Sequence, residues 1–190
     1  MKRELPIAEI DKTWTLFLDR DGVINYEKHN DYIHTWEEFA FYEGATDAIK
    51  TFTETFNRVL VVTNQRGVGK GVTKLDDLHT IHANMLEEIV KAGGHLDAIY
   101  YCSETENDNP YRKPNPGMGL EATKEFPDID LSKTIMVGNT ISDMEFGRNL
   151  GVYTVFLPTT RPDVSLSDER IDLVCESLVD FAHKLTQHKL

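Results

Sequence analysis

Five short apolar runs, each separated from the next by a stretch with helical spacing, constrain this 190-residue chain more than any other feature. The runs are TLFLD (15–19), RVLVVTN (58–64), AIYYCS (98–103), TIMVGN (134–139) and YTVFL (153–157). Helical patterns occupy 45–56, 74–91, 116–126 and 142–150, with a last one near 178–187. Continuous apolar runs of this length read as strands buried on both faces, and their alternation with helices implies a parallel sheet. The expected fold class is α/β, a doubly wound Rossmann-like parallel sheet whose topology is largely set by right-handed crossovers. The length suits one full-sized domain better than two. No repeat, low-complexity tract or linker interrupts the chain, so 1–190 reads as a single domain.

In such a sheet ligands bind outside the carboxyl ends of the strands. The residues that close the runs therefore matter most: Asp19 and Asp21 after the first, Thr63 and Asn64 after the second, Asn139 and Asp143 after the fourth. Each alone is ordinary for an α/β protein, and a solvated turn would account for the DRDG of LFLDRDGVIN. Chemistry accounts for more of it. A carboxylate at a strand end, Asp19, can attack phosphorus and form an aspartyl-phosphate. Asp21, two residues on, can protonate the leaving oxygen and later activate water. Gly22 lets the backbone curl close to a substrate. Two carboxylates facing a phosphate dianion repel it, which calls for Mg²⁺ between them.

Charge narrows the substrate. With 32 acidic against 20 basic side chains the net charge is -12, and no concentrated basic patch offsets it. Nucleic acid and anionic membrane surfaces are disfavoured, and small phosphorylated molecules are favoured. No segment approaches the roughly 20 apolar residues of a membrane span. The opening MKRELPIAEIDKTW has no apolar stretch behind its basic residues, so no secretory leader is expected. Cys102 and Cys175 match no paired redox or metal spacing, and free thiols fit a reducing cytoplasm. A monomer without macromolecular partners is the corresponding expectation.

Four segments resemble the motifs of the haloacid dehalogenase superfamily of phosphatases, in order and at the expected strand ends: FLDRDGVIN, VVTNQRGVGKG, YRKPNPGM and MVGNTISDMEFG. Together with DYIH, EEFAFYEGATDAI and SDMEFGRNLGV they are similar to one subgroup. It contains the D-glycero-D-manno-heptose 1,7-bisphosphate 7-phosphatases and the histidinol-phosphate phosphatases. The resemblance implies Asp19 as nucleophile and Asp21 as acid and base, with Lys113 holding nucleophile and phosphate together. It also implies Thr63, Asn64 and Arg112 on the substrate, with Asp19, Asp21, Asn139 and Asp143 around Mg²⁺. Residues 25–43 are too few for a large cap domain, so an open site is expected. The implied activity is Mg²⁺-dependent phosphomonoester hydrolysis, with the heptose bisphosphate ahead of histidinol phosphate.

GVGKG (67–71) is not a nucleotide-binding phosphate loop, because Asn64 and Gly71 stand where that motif needs Gly and Ser or Thr. It reads as a flexible turn that sets Arg66 and Lys70 near the mouth of the site, with solvated loop charges as the alternative. Relatives in the subgroup carry a structural zinc loop. Here Cys102 keeps one ligand position, while Glu104, Asn109 and Tyr111 occupy the other three. One thiolate does not make a tetrahedral site, so no structural zinc is expected. Cys102 reads as a semi-buried strand residue, and His79 and His82 as helix surface. Relatives also place aspartate where this chain has Asn139, which costs the metal site a charge. A non-catalytic protein that binds phosphorylated ligands is therefore the rival from another class.

Overall fold

The computed structural model describes residues 3–187. Six strands form a single parallel sheet: β1 (Thr15–Leu18), β2 (Arg58–Asn64), β3 (Ala98–Cys102), β4 (Thr134–Gly138), β5 (Tyr153–Phe156) and β6 (Leu173–Val174). Their order is β3-β2-β1-β4-β5-β6. The helices are α1 (Ala45–Thr55), α2 (Arg66–Gly69), α3 (Leu75–Lys91), α4 (Gly117–Glu125), α5 (Ile141–Leu150) and α6 (Leu178–Gln187). Each apolar run of the sequence is a strand. The two-residue β6 and the single turn α2, expected as a flexible loop, are additions. Among the described residues no helix is long and apolar enough to cross a membrane.

Alternation along the strands sorts side chains into two layers even though both faces are covered. Leu16, Leu18, Val59, Val61, Ile135 and Val137 join one core with α1, α3 and α6. Phe17, Leu60, Val62 and Met136 face the other way, against Met118 and Ala122 of α4 and Phe146 of α5. Each such side chain removed from water contributes about 1.5–3 kcal/mol. Edge position explains the one weaker run, since β3 pairs only with β2 and most of it is half-buried.

β1 lies between β2 and β4. The chain builds outward to β3 on one side and then returns to β4 on the other, so the order reverses beside β1. That reversal opens a crevice at the carboxyl end of β1. Between β1 and α1 the only regular element among the described residues is a 3-10 turn, Trp36–Glu38, so no large cap domain covers the crevice.

Asp172 ties the β5–β6 edge to α5. Arg148 grips both carboxylate oxygens, at 2.8 and 2.6 Å, and the backbone N–H groups of Arg3 and Thr154 donate at 2.7 and 3.1 Å. Burial works to raise this carboxyl, but the Arg148 hydrogen bonds, its charge and the backbone donors hold it below the usual range. A depressed folded-state pKa adds stability above the unfolded value of about 3.9. That stability is lost as pH falls through the folded value. Asp172→Ala leaves Arg148 without its buried partner and is expected to cost about 3–5 kcal/mol at pH 7. Urea unfolding measures the cost, which shrinks in acid.

Candidate active site

The carboxyl ends of β1, β2 and β4, the loop after β3 and the first turn of α5 converge on a cavity of about 510 Å³. Lys113 is its pivot. Only 4% exposed, its ammonium donates to Asp19 Oδ1 at 2.8 Å, Asp143 Oδ1 at 2.6 Å and the Val62 carbonyl at 2.8 Å. Three N–H groups meet three acceptors. Burial opposes the charge, yet Asp143 and Asp19 outweigh it and the lysine holds its proton more tightly than usual. Burial pushes the Asp19 carboxyl well up; Lys113 pulls it down, while Asp143 and Asp21 push it up further. One ammonium serves two buried carboxylates, which leaves Asp19 short of positive charge.

Asp21 stands in the opposite condition. Arg20 Nη2 donates to both of its oxygens at 2.9 Å, Asn25 Nδ2 to Oδ1 at 2.9 Å and Gln65 Nε2 to Oδ2 at 2.9 Å. Burial alone would raise Asp21, but the Arg20 charge and these hydrogen bonds hold it below the ordinary carboxylate range. Arg20 is fully buried, with Nη1 3.0 Å from His82 Nε2. Arginine only donates, so Nε2 accepts and the imidazole proton sits on Nδ1. Burial and then the Arg20 charge push His82 down to about 3, keeping it neutral. His82 is therefore not helix surface, as its sequence position suggested; it is 7% exposed. Its spacing from Leu78, Ile81 and Met85 on the buried stripe of α3 is the signal that could have shown this.

The other expected residues divide. Thr63 is buried on the cavity wall and accepts from Gln65 Nε2 at 2.9 Å. Arg112 lines the cavity, with a long contact to the Glu104 carbonyl at 3.4 Å. Three of the expected residues make hydrogen bonds within the protein. Asn64, expected on the substrate, lines the cavity and holds the Lys113 backbone, donating to its carbonyl at 3.1 Å and accepting from its N–H at 3.0 Å. Arg66 lies outside the cavity lining and donates to the Thr105 carbonyl and Asn107 Oδ1, each at 2.6 Å. Asp143, expected at the metal, lines the cavity beside Lys113, and its Oδ1 accepts from the Lys113 ammonium. Its Oδ2 accepts from the Thr140 N–H at 3.0 Å and hydroxyl at 2.7 Å, closing a capping box at the start of α5. Gly138 makes this possible, because a Cβ there would fall 2.2 Å from the Asp143 Cβ.

Asn139 is fully buried. Its Nδ2 donates to Glu27 Oε2 at 3.2 Å and Thr160 Oγ1 at 2.6 Å. Its Oδ1 is buried with no hydrogen-bond partner among the described residues. An orphaned carbonyl oxygen on a residue that lines the same cavity as the charge-short Asp19 fits a hard cation. Among the described residues no three His, Cys, Asp or Glu side chains form a ready metal cage. Magnesium does not require one, since it is usually held by one or two carboxylates together with water and substrate oxygens. Glu27, Gln65, Lys28 and Arg161 also line the cavity, and sequence reasoning passed over all four.

In the loop between β3 and α4, the Cys102 thiol donates to Asn109 Oδ1 at 3.9 Å. That oxygen also accepts from the Tyr111 N–H at 2.9 Å, and Asn115 Nδ2 donates to the Asn107 and Asn109 carbonyls. Cys102 is 3% exposed, more buried than expected. Amide hydrogen bonds tie this loop together. Elemental analysis of the purified protein is expected to find well under one zinc per chain, and a stoichiometric content would contradict the substituted ligand positions.

The profile of the family described as polynucleotide kinase 3 phosphatase matches residues 7–173. A D-glycero-alpha-D-manno-heptose-1,7-bisphosphate 7-phosphatase of Mycobacterium bovis is 32% identical over 170 residues, 89% of this chain and 90% of its own length. The enzyme of that name from Campylobacter jejuni is 38% identical over 146 residues, 77% of this chain and 83% of its own. In three dimensions the chain is similar to D,D-heptose 1,7-bisphosphate phosphatase from B. bronchiseptica complexed with magnesium and phosphate. The TM-score is 0.82 at 28% identity, covering 92% of this chain and 98% of that one.

Proposed function

The chain belongs to the polynucleotide kinase 3 phosphatase family of haloacid dehalogenase-like phosphatases, and on that premise we propose that it is a magnesium-dependent phosphatase removing the 7-phosphate of D-glycero-D-manno-heptose 1,7-bisphosphate. The observation that carries the reading is the buried Lys113 bridge between Asp19 and Asp143 at the floor of an open cavity. A carboxylate supported this way keeps one fixed position from which to attack phosphorus. An Asp19 oxygen bonds to the phosphorus as the ester P–O bond breaks, and the leaving sugar oxygen takes a proton from Asp21. A phosphate dianion entering beside Asp21 raises the affinity of its carboxyl for that proton. In the second half-reaction water attacks the aspartyl-phosphate while Asp21, otherwise held ionised, takes its proton. Inorganic phosphate leaves and Asp19 is regenerated.

Thr63 and the first turn of α5 supply donors to the phosphoryl oxygens, as a helix N-terminus favours an anion. Asn64 positions Lys113 through its backbone, and Arg112 on the wall suits the second phosphate of a bisphosphate. Asp19 and the Asn139 oxygen would hold magnesium. Bound there, it would offset the phosphate charge against the carboxylates. Asp21 and Asp143, whose oxygens are already hydrogen-bonded, then act by proton transfer and by positioning Lys113. The same reading makes the protein a cytoplasmic monomer working on free metabolites, in keeping with two unbonded cysteines and the acidic surface.

The test is phosphate release from the heptose bisphosphate, histidinol phosphate and a 3′-phosphorylated oligonucleotide, with and without Mg²⁺. Magnesium-dependent release, fastest from the heptose, is expected. Faster turnover of another substrate would replace the assignment, and no turnover at any magnesium concentration would favour the ligand-binding rival.

A further inference from the structure

Asn139 brings one neutral oxygen to the cation position, and its other end is not idle. Nδ2 points at the carboxylate of Glu27, 3.2 Å away, from a residue 112 positions distant in the chain. An amide has two similar ends, and only one of them can bind a cation. With a carboxylate and the Thr160 hydroxyl on one side, Nδ2 is fixed there by the hydrogen bonds it donates. Oδ1, buried and without a partner among the described residues, is left for the cation. The pair fits only because residue 22 is glycine. At its φ of +81° a Cβ would fall 2.0 Å from Asn139 Nδ2 and 3.0 Å from Glu27 Oε2. Glu27 lines the same cavity as Asp19 and Asn139.

We propose that Glu27 is a positioning residue for the cation. It orients the Asn139 amide with oxygen toward the metal and supplies from behind the negative charge that the amide lacks. Glu27 and Asn139 together then act as one charged ligand, split between an outer carboxylate and an inner carbonyl. The inference rests on the magnesium site of the proposed function but not on the identity of the sugar.

The test measures Mg²⁺ and Mn²⁺ affinity of the substrate-free protein by calorimetry, with thermal unfolding to verify that each variant is folded. Glu27→Gln keeps the acceptor and the shape but removes the charge, and is expected to weaken the cation about tenfold or more. Adding Asn139→Asp to that variant returns the charge and is expected to restore affinity. With the native Glu27 in place, Asn139→Asp sets two carboxylates together and gains less than it does when combined with Glu27→Gln. Thr160→Val removes a neutral hydroxyl that bonds both Asn139 Nδ2 and Glu27 but leaves the Glu27 charge in place, and is expected to change affinity less than Glu27→Gln does. Unchanged affinity in Glu27→Gln, equal gains from Asn139→Asp in both backgrounds, or no cation binding by the native protein would each overturn the proposal. A native protein that binds magnesium and shows this non-additivity, yet hydrolyses no phosphate ester, would sink the proposed function and leave this inference standing.

Discussion

Asp19→Asn is expected to lower phosphate release by at least about 10⁴-fold, because no other group in the cavity stands in its place as nucleophile. The fold should survive. Lys113 keeps Asp143 at 2.6 Å and the Val62 carbonyl at 2.8 Å, and Asp19 remains anchored to β4 through its backbone N–H on the Val137 carbonyl at 3.0 Å. The asparagine also removes a buried carboxyl that burial had pushed up, which eases the site rather than straining it. Steady-state assays with unfolding as a control decide the matter. A folded Asp19→Asn protein that still releases phosphate would exclude the aspartyl-phosphate route. The companion change Asp21→Asn separates the two half-reactions: a substrate with a good leaving group should still phosphorylate Asp19, and the phosphoenzyme should then persist.

Lys113→Met carries the second large effect, on both activity and stability. Removing the ammonium takes away the charge that faces the transferring phosphoryl group, an electrostatic contribution worth about 10²–10³ in turnover. It also leaves Asp19 and Asp143 buried without their shared cation, which typically costs about 3–5 kcal/mol. Lys113→Arg is expected to rescue little. A planar guanidinium spreads its donors over a fork, whereas this site surrounds one nitrogen with three acceptors. Comparison of urea midpoints and turnover for the three proteins checks both parts. Native turnover in Lys113→Met would remove the lysine from the chemistry.

Much of this was legible along the chain. The strands were visible because a sheet covered on both faces demands unbroken apolar runs, and TLFL, RVLVVTN and TIMVG supply them. The strand ends were visible as candidates because parallel strands must all present their carboxyl ends on one side. What those ends do was less visible. Asn64 and Asp143, which both follow strands, line the cavity as grouped, but their bonds to Lys113 were not legible in the sequence. Arg66 has the right charge in the right segment and turns instead toward Asn107.

The sequence by itself determined the parallel α/β architecture, the order of the four motif segments and the residue types that reach the crevice, since all of these follow from local spacing and the two-residue strand period. Only the tertiary structure decided which of those residues line the cavity and how they pair with one another. Lys113 meets Asp19 and Asp143 from a loop far along the chain, Arg20 finds His82 across 62 residues, and Glu27 finds Asn139 across 112. The physical reason is the cost of a buried polar group left unpaired. Each such group takes whatever complementary partner the packed fold brings within about 3 Å, and that partner is set by how the layers stack rather than by sequence distance.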